Sequence, residues 1–245
     1  MKSVLTIAGL DPSGGAGILA DVKTIRALGF FPSAVVTTIT FQNTCEVRGI
    51  REVDCIEEQM LPVLEDLSLA GIKVGLVCSK DSAKKIAKSI DNMEVPKVVD
   101  PVIKATVGFE FSSKDVYSIL AEACDVITPN AEEAALLSGI EVKDLESAKI
   151  AAKTIAKDFG CSVVITGGSL SGKDVIFDSE KIYVVEGEVL KFEVHGTGCV
   201  YSTALTCYLA KGFSLYEACK RAREFVHRAV LNSVKVGRCL KVLNV

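Results

Sequence analysis

The chain has 245 residues with 28 basic and 31 acidic side chains, which gives a formal net charge of −3. This length can bury a sizeable core, and we expect a single domain over residues 1–245. The charge balance argues against a nucleic-acid partner, and the apolar run 4–10 is too short to span a membrane. We therefore expect a cytoplasmic protein with a small-molecule partner.

Short β-branched segments alternate with amphipathic helical segments along the chain. They predict strands over 4–8, 34–40, 72–77, 97–100, 126–128 and 163–166. The helix after Gly17 presents Ile18, Val22 and Ile25 on one face and is expected to end at Gly29. This alternation is typical of an α/β fold with a parallel sheet covered by helices.

Two patterns predict the starts of further helices. Asp54 with Glu57, and Ser214 with Glu217, have the spacing of a capping box. Pro62 lies inside the first of these helices and is expected to kink or shorten it, because proline cannot donate the backbone hydrogen bond.

Nine cysteines are a high count for a chain of this composition. Their number is odd, no pair has the CxxC spacing, and His195 and His227 are the only histidines. These features argue against a disulfide framework and against a zinc site. We expect most of the thiols to be buried in a reducing compartment.

Two glycine-rich segments nearly match nucleotide-binding motifs. Gly15, Gly17 and Ala20 fit GxGxxA, but they follow an extra loop, and the second strand ends without the acidic residue that would hold a ribose. Residues 167–173, GGSLSGK, resemble a P-loop, but Asp174 replaces the magnesium-binding hydroxyl. We therefore interpret neither segment as a nucleotide-binding motif. We expect residues 167–173 to form a turn.

The pattern changes between residues 175 and 194. Residues 175–177 read as a strand, and further strands are indicated around 178–181 and 186–188. We expect these segments to form hairpin additions at the edge of the sheet.

Four loops should meet at one edge of the sheet. GLDPSGGAG follows the first predicted strand, TFQNT the second, DPV the fourth and TPNAEEA the fifth. Because ligands of open α/β sheets bind at the carboxyl ends of the strands, these loops are where we expect the functional site.

Two candidate sites, the Asn130–Glu133 pair and Cys199, each allow a structural and a functional interpretation. Asn130 and Glu133 have the spacing of an N-cap with its reciprocal glutamate, but Glu133 would also suit a magnesium ion bound through water. Cys199 follows the glycine turn HGTG and could be a buried apolar residue. Alternatively, the turn binds an anion and the helix dipole lowers the pKa of the thiol.

Together the motifs are more specific than any one of them. AGLDPSGGAGILAD at 8–21, FQNT at 41–44, KVGL at 73–76, DPV at 100–102, ITPNAEEA at 127–134 and HGTGC at 195–199 occur in this order. The set closely resembles the hydroxymethylpyrimidine/phosphomethylpyrimidine kinases of the ribokinase-like superfamily. The resemblance implies a doubly wound sheet, ATP and Mg²⁺ as cofactors, a homodimer, and phosphorylation of a hydroxymethylpyrimidine and then of its monophosphate in thiamine biosynthesis.

The resemblance also implies a role for individual residues. The catalytic group comprises a backbone anion hole and a thiol base that faces the substrate hydroxyl: Gly196, Thr197, Gly198 and Cys199. The pyrimidine pocket is formed by Asp11, Ala16, Thr40, Gln42 and Leu76. The nucleotide contacts are Asn130, Thr166, Gly168 and Thr197, and the magnesium side has Glu133 with Asp100 in an outer shell.

The chain departs from the family pattern at three places. Thr106 and Thr166 stand where the family commonly has lysine, and Lys104 brings a lysine two residues earlier. Leu76 stands where methionine is frequent. The sequence leaves open whether both phosphorylations occur. It also leaves open a pyridoxine or pyridoxal kinase of the same branch, and a pyrimidine-binding regulator that has lost turnover.

Overall fold

The computed structural model describes residues 1–105, 108–188 and 194–245. Its main sheet has nine strands: β1 (Ser3–Leu10), β2 (Phe31–Gln42), β3 (Val47–Glu52), β4 (Leu69–Val74), β5 (Lys97–Val99), β6 (Val126–Ile127), β7 (Ser162–Ile165), β8 (Lys173–Phe177) and β9 (Ile182–Glu186). They lie in the order β3-β2-β1-β4-β5-β6-β7-β8-β9. The pairs from β2 to β7 are parallel, and the pairs β2–β3, β7–β8 and β8–β9 at the two ends of the sheet are antiparallel.

Eight helices are formed by the described residues: α1 (Gly17–Ala27), α2 (Ile56–Asp66), α3 (Lys80–Ile90), α4 (Lys114–Glu122), α5 (Ala131–Ser138), α6 (Leu145–Phe159), α7 (Thr197–Ala210) and α8 (Leu215–Leu231). A small second sheet pairs β10 (Val194–His195) with β11 (Lys241–Val242). Within the described ranges, no helix is both long and apolar enough to cross a bilayer.

Two apolar clusters lie on opposite faces of the main sheet. Val99 and Ile127 belong to one cluster, whereas their neighbours Val98 and Val126 belong to the other. Successive residues of a strand point to opposite faces, so a strand covered by helices on both sides must be apolar throughout. The predicted α/β fold, with a mostly parallel sheet flanked by helices, is thereby confirmed.

The central strands end earlier than predicted. β4 stops at Val74 and β6 at Ile127, although apolar or β-branched residues follow both, and β5 stops at Val99, directly before Asp100. Asp100 and Thr128 thus lie just past the ends of their strands. The loops that follow the strands begin at these positions.

The edge hairpin exists, but its strands are displaced from the predicted positions. Residues 178–181, predicted as a strand, form the turn between β8 and β9, where the Asp178 side chain accepts hydrogen bonds from the Glu180 and Lys181 backbones. β9 ends at Glu186, so the strand predicted at 186–188 is also wrong beyond that residue. A local side-chain acceptor of this kind favours a turn over a strand.

The helix starts were predicted with mixed success. Ser214 caps α8 by accepting a hydrogen bond from the Glu217 backbone, which is one of the two bonds of the predicted capping box. Asp54 does not cap α2, which begins after Cys55 without a side-chain cap. Pro62 does not shorten α2, which continues to Asp66. Because Pro62 has no N–H, the Glu58 carbonyl lacks its usual hydrogen-bond donor within the helix. Both residues are exposed, so water can bond to that carbonyl instead.

One disulfide corrects the expectation that no such bond forms. Cys45 and Cys239 are joined across 194 residues of sequence, with Cα atoms 5.0 Å apart. The C-terminal segment returns to the loop after β2, where the Leu240 N–H donates to the Thr44 carbonyl over 3.1 Å. Four of the nine cysteines are buried, fewer than expected: Cys124, Cys161, Cys207 and Cys219.

Candidate active site

A cavity of about 290 Å³ lies at the carboxyl ends of the central strands. The chain runs from β1 to β2 on one side and returns to β4 on the other, so the sheet reverses its direction of growth between β1 and β4. Such a switch point is where open α/β sheets bind ligands. All fourteen predicted site residues line this one cavity: Asp11, Ala16, Thr40, Gln42, Leu76, Asp100, Asn130, Glu133, Thr166, Gly168, Gly196, Thr197, Gly198 and Cys199.

The glycine turn at the start of α7 leaves backbone donors facing the cavity. Gly196 has a φ of 89°, and a side chain there would collide with the carbonyl oxygen of Gly15. No side chain caps the first turn of α7. Its N–H groups therefore remain available, and the positive end of the helix dipole lies beside them, which suits an anion.

The Cys199 thiol does not have the lowered pKa that a helix N-terminus alone would give. Burial raises the pKa to about 12, and Asp100 adds to that rise, while Lys73 opposes it. Removing the thiolate from water disfavours the charged form. In the protein without ligands, burial therefore opposes activation of the thiol, and activation by the helix dipole stays a prediction.

A buried ion pair lies beneath the turn and was not predicted. Lys73 Nζ is 2.9 Å from Asp21 Oδ2, and both side chains are fully buried. Asp21 also accepts hydrogen bonds from the hydroxyls of Thr6 and Thr203. The sequence signal was a lysine inside an apolar strand, GIKVGL, because a buried lysine requires a paired acid. A side chain on Gly75 would approach Lys73 Nζ to 2.6 Å, which explains the glycine two residues after the lysine.

The pocket wall near β2 is organised by a carboxylate. Asp11 accepts hydrogen bonds from the backbones of Ser13 and Ala16, and its Oδ2 lies 3.1 Å from His195 Nε2. Although burial acts to raise the pKa of Asp11, bonds from His195, Ser13 and Gln42 lower it below the ordinary value. Gln42 Nε2 also lies 3.3 Å from His195 Nε2. The amide nitrogen of Gln42 therefore faces this pair, and its oxygen is left to accept a donor.

Asn130 and Glu133 form the capping box that one interpretation predicted. The Asn130 side chain accepts from the Glu133 backbone, and the Glu133 carboxylate accepts from the Asn130 backbone, each over 2.9 Å. Burial first, and then the nearby Asp100, raise the pKa of Glu133 to about 8. Asp100 is buried as well, and Ser202 donates to it over 3.1 Å.

Glu133 and Asp100 could face a divalent cation, but they supply only two carboxyl groups. Two buried like charges raise each other's pKa, and a cation between them would offset that repulsion. Among the described residues, no group of three or more carboxylates, histidines or cysteines could hold a metal. A magnesium ion would thus take its remaining ligands from water and from phosphate oxygens, as magnesium usually does.

A second cavity, of about 1020 Å³, adjoins the first one. The two share Thr166, Gly168, Thr197 and Gly198. The segment 167–172 forms a turn before β8 rather than a P-loop before a helix, as expected. Lys104 also lines the smaller cavity, where it pairs with Glu110 over 3.2 Å. Thr106 lies outside the described residues.

Comparison with known proteins decides the family. The family model described as phosphomethylpyrimidine kinase matches residues 11–244. The chain belongs to this kinase family. The kinase is 33% identical to the hydroxymethylpyrimidine/phosphomethylpyrimidine kinase of Aquifex aeolicus, with 98% of each chain covered.

The fold of the kinase also matches solved structures. The Staphylococcus aureus pyridoxal kinase in complex with pyridoxal has a TM-score of 0.90 and 29% identity, with 100% of this chain and 93% of that chain covered. An ADP complex of Bacillus subtilis pyridoxal kinase has a TM-score of 0.89 and 33% identity, with 100% and 97% covered. The doubly wound ribokinase-like architecture is therefore shared with pyridoxal kinases solved in complex with pyridoxal and with ADP.

Proposed function

We propose that the kinase uses ATP and Mg²⁺ to phosphorylate 4-amino-5-hydroxymethyl-2-methylpyrimidine and then its monophosphate, a reaction of thiamine biosynthesis. The observation that carries this proposal is the junction of the two cavities at the glycine turn. An acceptor in the smaller cavity and a nucleotide in the larger one would meet where the backbone N–H groups converge. Phosphoryl transfer depends mainly on such positioning and on charge stabilisation.

In this proposal the backbones of Gly196, Thr197 and Gly198 hold the transferring phosphoryl group. Cys199 removes the proton of the acceptor hydroxyl, for which it must be a thiolate. Lys73 is the positive charge that favours the thiolate, and burial opposes it. Asn130, Thr166 and Gly168 contact the nucleotide. Glu133 and Asp100 would hold Mg²⁺ through water, and the ion would offset the charge of the phosphates.

Gln42 offers a test of the acceptor pocket. Its amide nitrogen faces Asp11 and His195, so its oxygen is placed to accept from the amino group of the pyrimidine. Gln42→Leu should weaken binding of hydroxymethylpyrimidine by about 1 to 3 kcal/mol, because a buried donor loses its partner. Calorimetric titrations with the pyrimidine and with ADP measure both affinities. Equal losses of both, or an unchanged pyrimidine affinity, would contradict the assignment.

A substitution of Glu133 distinguishes its role as a helix cap from a role in binding magnesium. Glu133→Gln keeps an oxygen for the Asn130 backbone but removes the charge, so turnover should fall and more magnesium should be needed to restore it. Initial rates over a range of magnesium concentrations measure this. Glu132→Gln is the matched control, because Glu132 is exposed on the same turn. Normal rates for Glu133→Gln at limiting magnesium would leave Glu133 only a capping role.

The same variant has an expected pH signature. The folded-state pKa of Glu133 is raised from 4.5 to about 8. Between these values the folded protein keeps a proton that the unfolded chain has lost, so this carboxyl makes the fold less stable as the pH rises. The stability of Glu133→Gln relative to the unmodified kinase should therefore increase from pH 5 to pH 8, measured by urea unfolding without magnesium. A constant difference would contradict the raised pKa.

Pyridoxal kinase activity is the second candidate, favoured by the TM-score of 0.90 to a pyridoxal kinase. ADP release measured in parallel with hydroxymethylpyrimidine, its monophosphate and pyridoxal distinguishes the candidates. The proposal predicts turnover of both pyrimidines and a lower kcat/KM for pyridoxal. The reverse preference would establish the second candidate, and pyrimidine binding without turnover would indicate a regulator.

We further propose that residues 1–245 act as one domain within a homodimer. Ile39 and Phe41 project from β2 beside the edge strand β3 and are 37% and 46% exposed. A second copy placed on this face would cover both side chains. A cytoplasmic location and the absence of a nucleic-acid partner stay predictions.

A further inference from the structure

Asp174 and Arg223 connect the turn at 167–172 to helix α8. Asp174 lies in β8, directly after the turn, and its side chain is 1% exposed. Arg223 lies in the middle of α8, and its Nη1 is 2.5 Å from Asp174 Oδ1. The proposed catalytic steps use neither residue. The pair is nonetheless largely buried, and a buried ion pair is costly unless its remaining hydrogen bonds are also satisfied.

The hydrogen bonds of the pair hold both ends of the turn. Asp174 Oδ1 accepts from the Gly167 N–H over 2.6 Å. Arg223 Nη2 donates to the Gly172 carbonyl, which also accepts from the Gly187 N–H. One carboxylate and one guanidinium therefore fix the first and the last residue of the turn.

The same carboxylate reaches the helix that begins at the glycine turn. The Tyr201 hydroxyl, on α7, donates to Asp174 Oδ2 over 3.3 Å. Burial acts to raise the pKa of Asp174, and Arg223 is the strongest opposing influence, so the guanidinium favours the ionised carboxylate. The pair thus ties the turn to α7 and α8 together.

Two glycines leave space for this arrangement. A side chain on Gly167 would collide with the backbone of Lys173, and a side chain on Gly187 would collide with the Arg223 guanidinium. A lysine in place of Arg223 would lose this geometry, because only the planar guanidinium presents two parallel donors, one for Asp174 and one for the Gly172 carbonyl. The pairing therefore depends on several positions that are far apart in sequence.

We propose that the Asp174–Arg223 pair is a positioning element that sets the nucleotide affinity by holding the 167–172 turn, and with it Thr166 and Gly168, in the binding geometry. The inference rests on the proposed nucleotide site. Both residues line the larger cavity, and neither lines the smaller one. A turn that is already ordered does not have to be ordered when the ligand binds, so its affinity is higher. Binding of the acceptor should not depend on the pair.

The test compares ADP and hydroxymethylpyrimidine affinities in variants of the full chain. Arg223→Met leaves the buried Asp174 charge unpaired and risks unfolding, so the double variant Asp174→Asn/Arg223→Met, which removes both charges, is measured beside it. Arg221→Met is the matched control, because Arg221 lies on the same helix and packs over the Phe213 ring instead. Calorimetric titrations are made below the thermal transition of each variant.

We expect ADP to bind about tenfold more weakly to the double variant, since ordering even one residue of the turn costs about that factor. The affinity for hydroxymethylpyrimidine should stay within about twofold of that of the unmodified kinase, and the control should retain both affinities. Unchanged ADP binding would overturn the inference, and so would equal losses for both ligands, which indicate a general structural role. If the unmodified kinase does not bind ADP, the proposed function itself fails.

Discussion

Replacing Cys199 by alanine should slow the phosphorylation of hydroxymethylpyrimidine by about 10² to 10⁴, the usual value of general-base help. An alcohol is a poor nucleophile at neutral pH, so its proton must be removed during the transfer. The monophosphate is different, because its second pKa is about 6 and its oxygens are already anionic at pH 7. Phosphorylation of the monophosphate should therefore be much less affected by Cys199→Ala.

The pH dependence of the two steps should differ in the same way. Burial raises the pKa of Cys199 to about 12, so the reactive thiolate becomes more abundant as the pH rises from neutral. The rate with hydroxymethylpyrimidine should increase over this range, and the rate with the monophosphate should not follow it. In Cys199→Ala the increase should disappear.

Steady-state rates on both acceptors, with the same ATP and magnesium, measure the effect. Cys78→Ala is the matched control, because Cys78 is another half-buried free thiol and does not line the cavity. ADP affinity should persist in Cys199→Ala, since the donors of the glycine turn are backbone groups. Similar modest losses of rate with both acceptors would contradict the general-base role and would indicate that Cys199 only packs against its neighbours.

Opening the Cys45–Cys239 disulfide should lower the free energy of unfolding by about 5 kcal/mol, the loop-entropy value for a very long closed loop. The bond closes 194 residues, nearly the whole chain, so its removal releases much conformational freedom in the unfolded state. The double variant Cys45→Ser/Cys239→Ser should show the same loss without reductant. Cys55→Ser is the control, because Cys55 is an exposed free thiol.

Urea unfolding with and without reductant, together with a count of free thiols, measures this effect. Reductant should destabilise the unmodified kinase and leave the double serine variant unchanged. A loss below about 1 kcal/mol would contradict the entropic account. Nine free thiols in the folded protein without reductant would contradict the bond itself.

Much of the fold follows from local sequence alone. Apolar segments of strand length, separated by amphipathic helices, indicate a parallel sheet covered on both faces, because a strand that is apolar throughout must be covered on both sides. The positions of the loops after these strands also followed, and they brought Asp11, Gln42, Asp100 and Asn130 to one cavity. Hydrogen bonds at Asn130 and Glu133 were predictable because both partners lie within one helical turn.

Contacts between distant segments were decided by the tertiary structure. The Cys45–Cys239 bond and the Asp21–Lys73 pair join residues whose spacing carries no signal, since any two cysteines, or any acid and base, can meet once the chain folds back. The pKa of Cys199 depends on burial, which the sequence around it does not specify and which raises that pKa. In the sequence, Asp174 was only a mismatch to a phosphate-binding motif. Its partners, Tyr201 on α7 and Arg223 on α8, lie far away in sequence and meet it only in the packed fold.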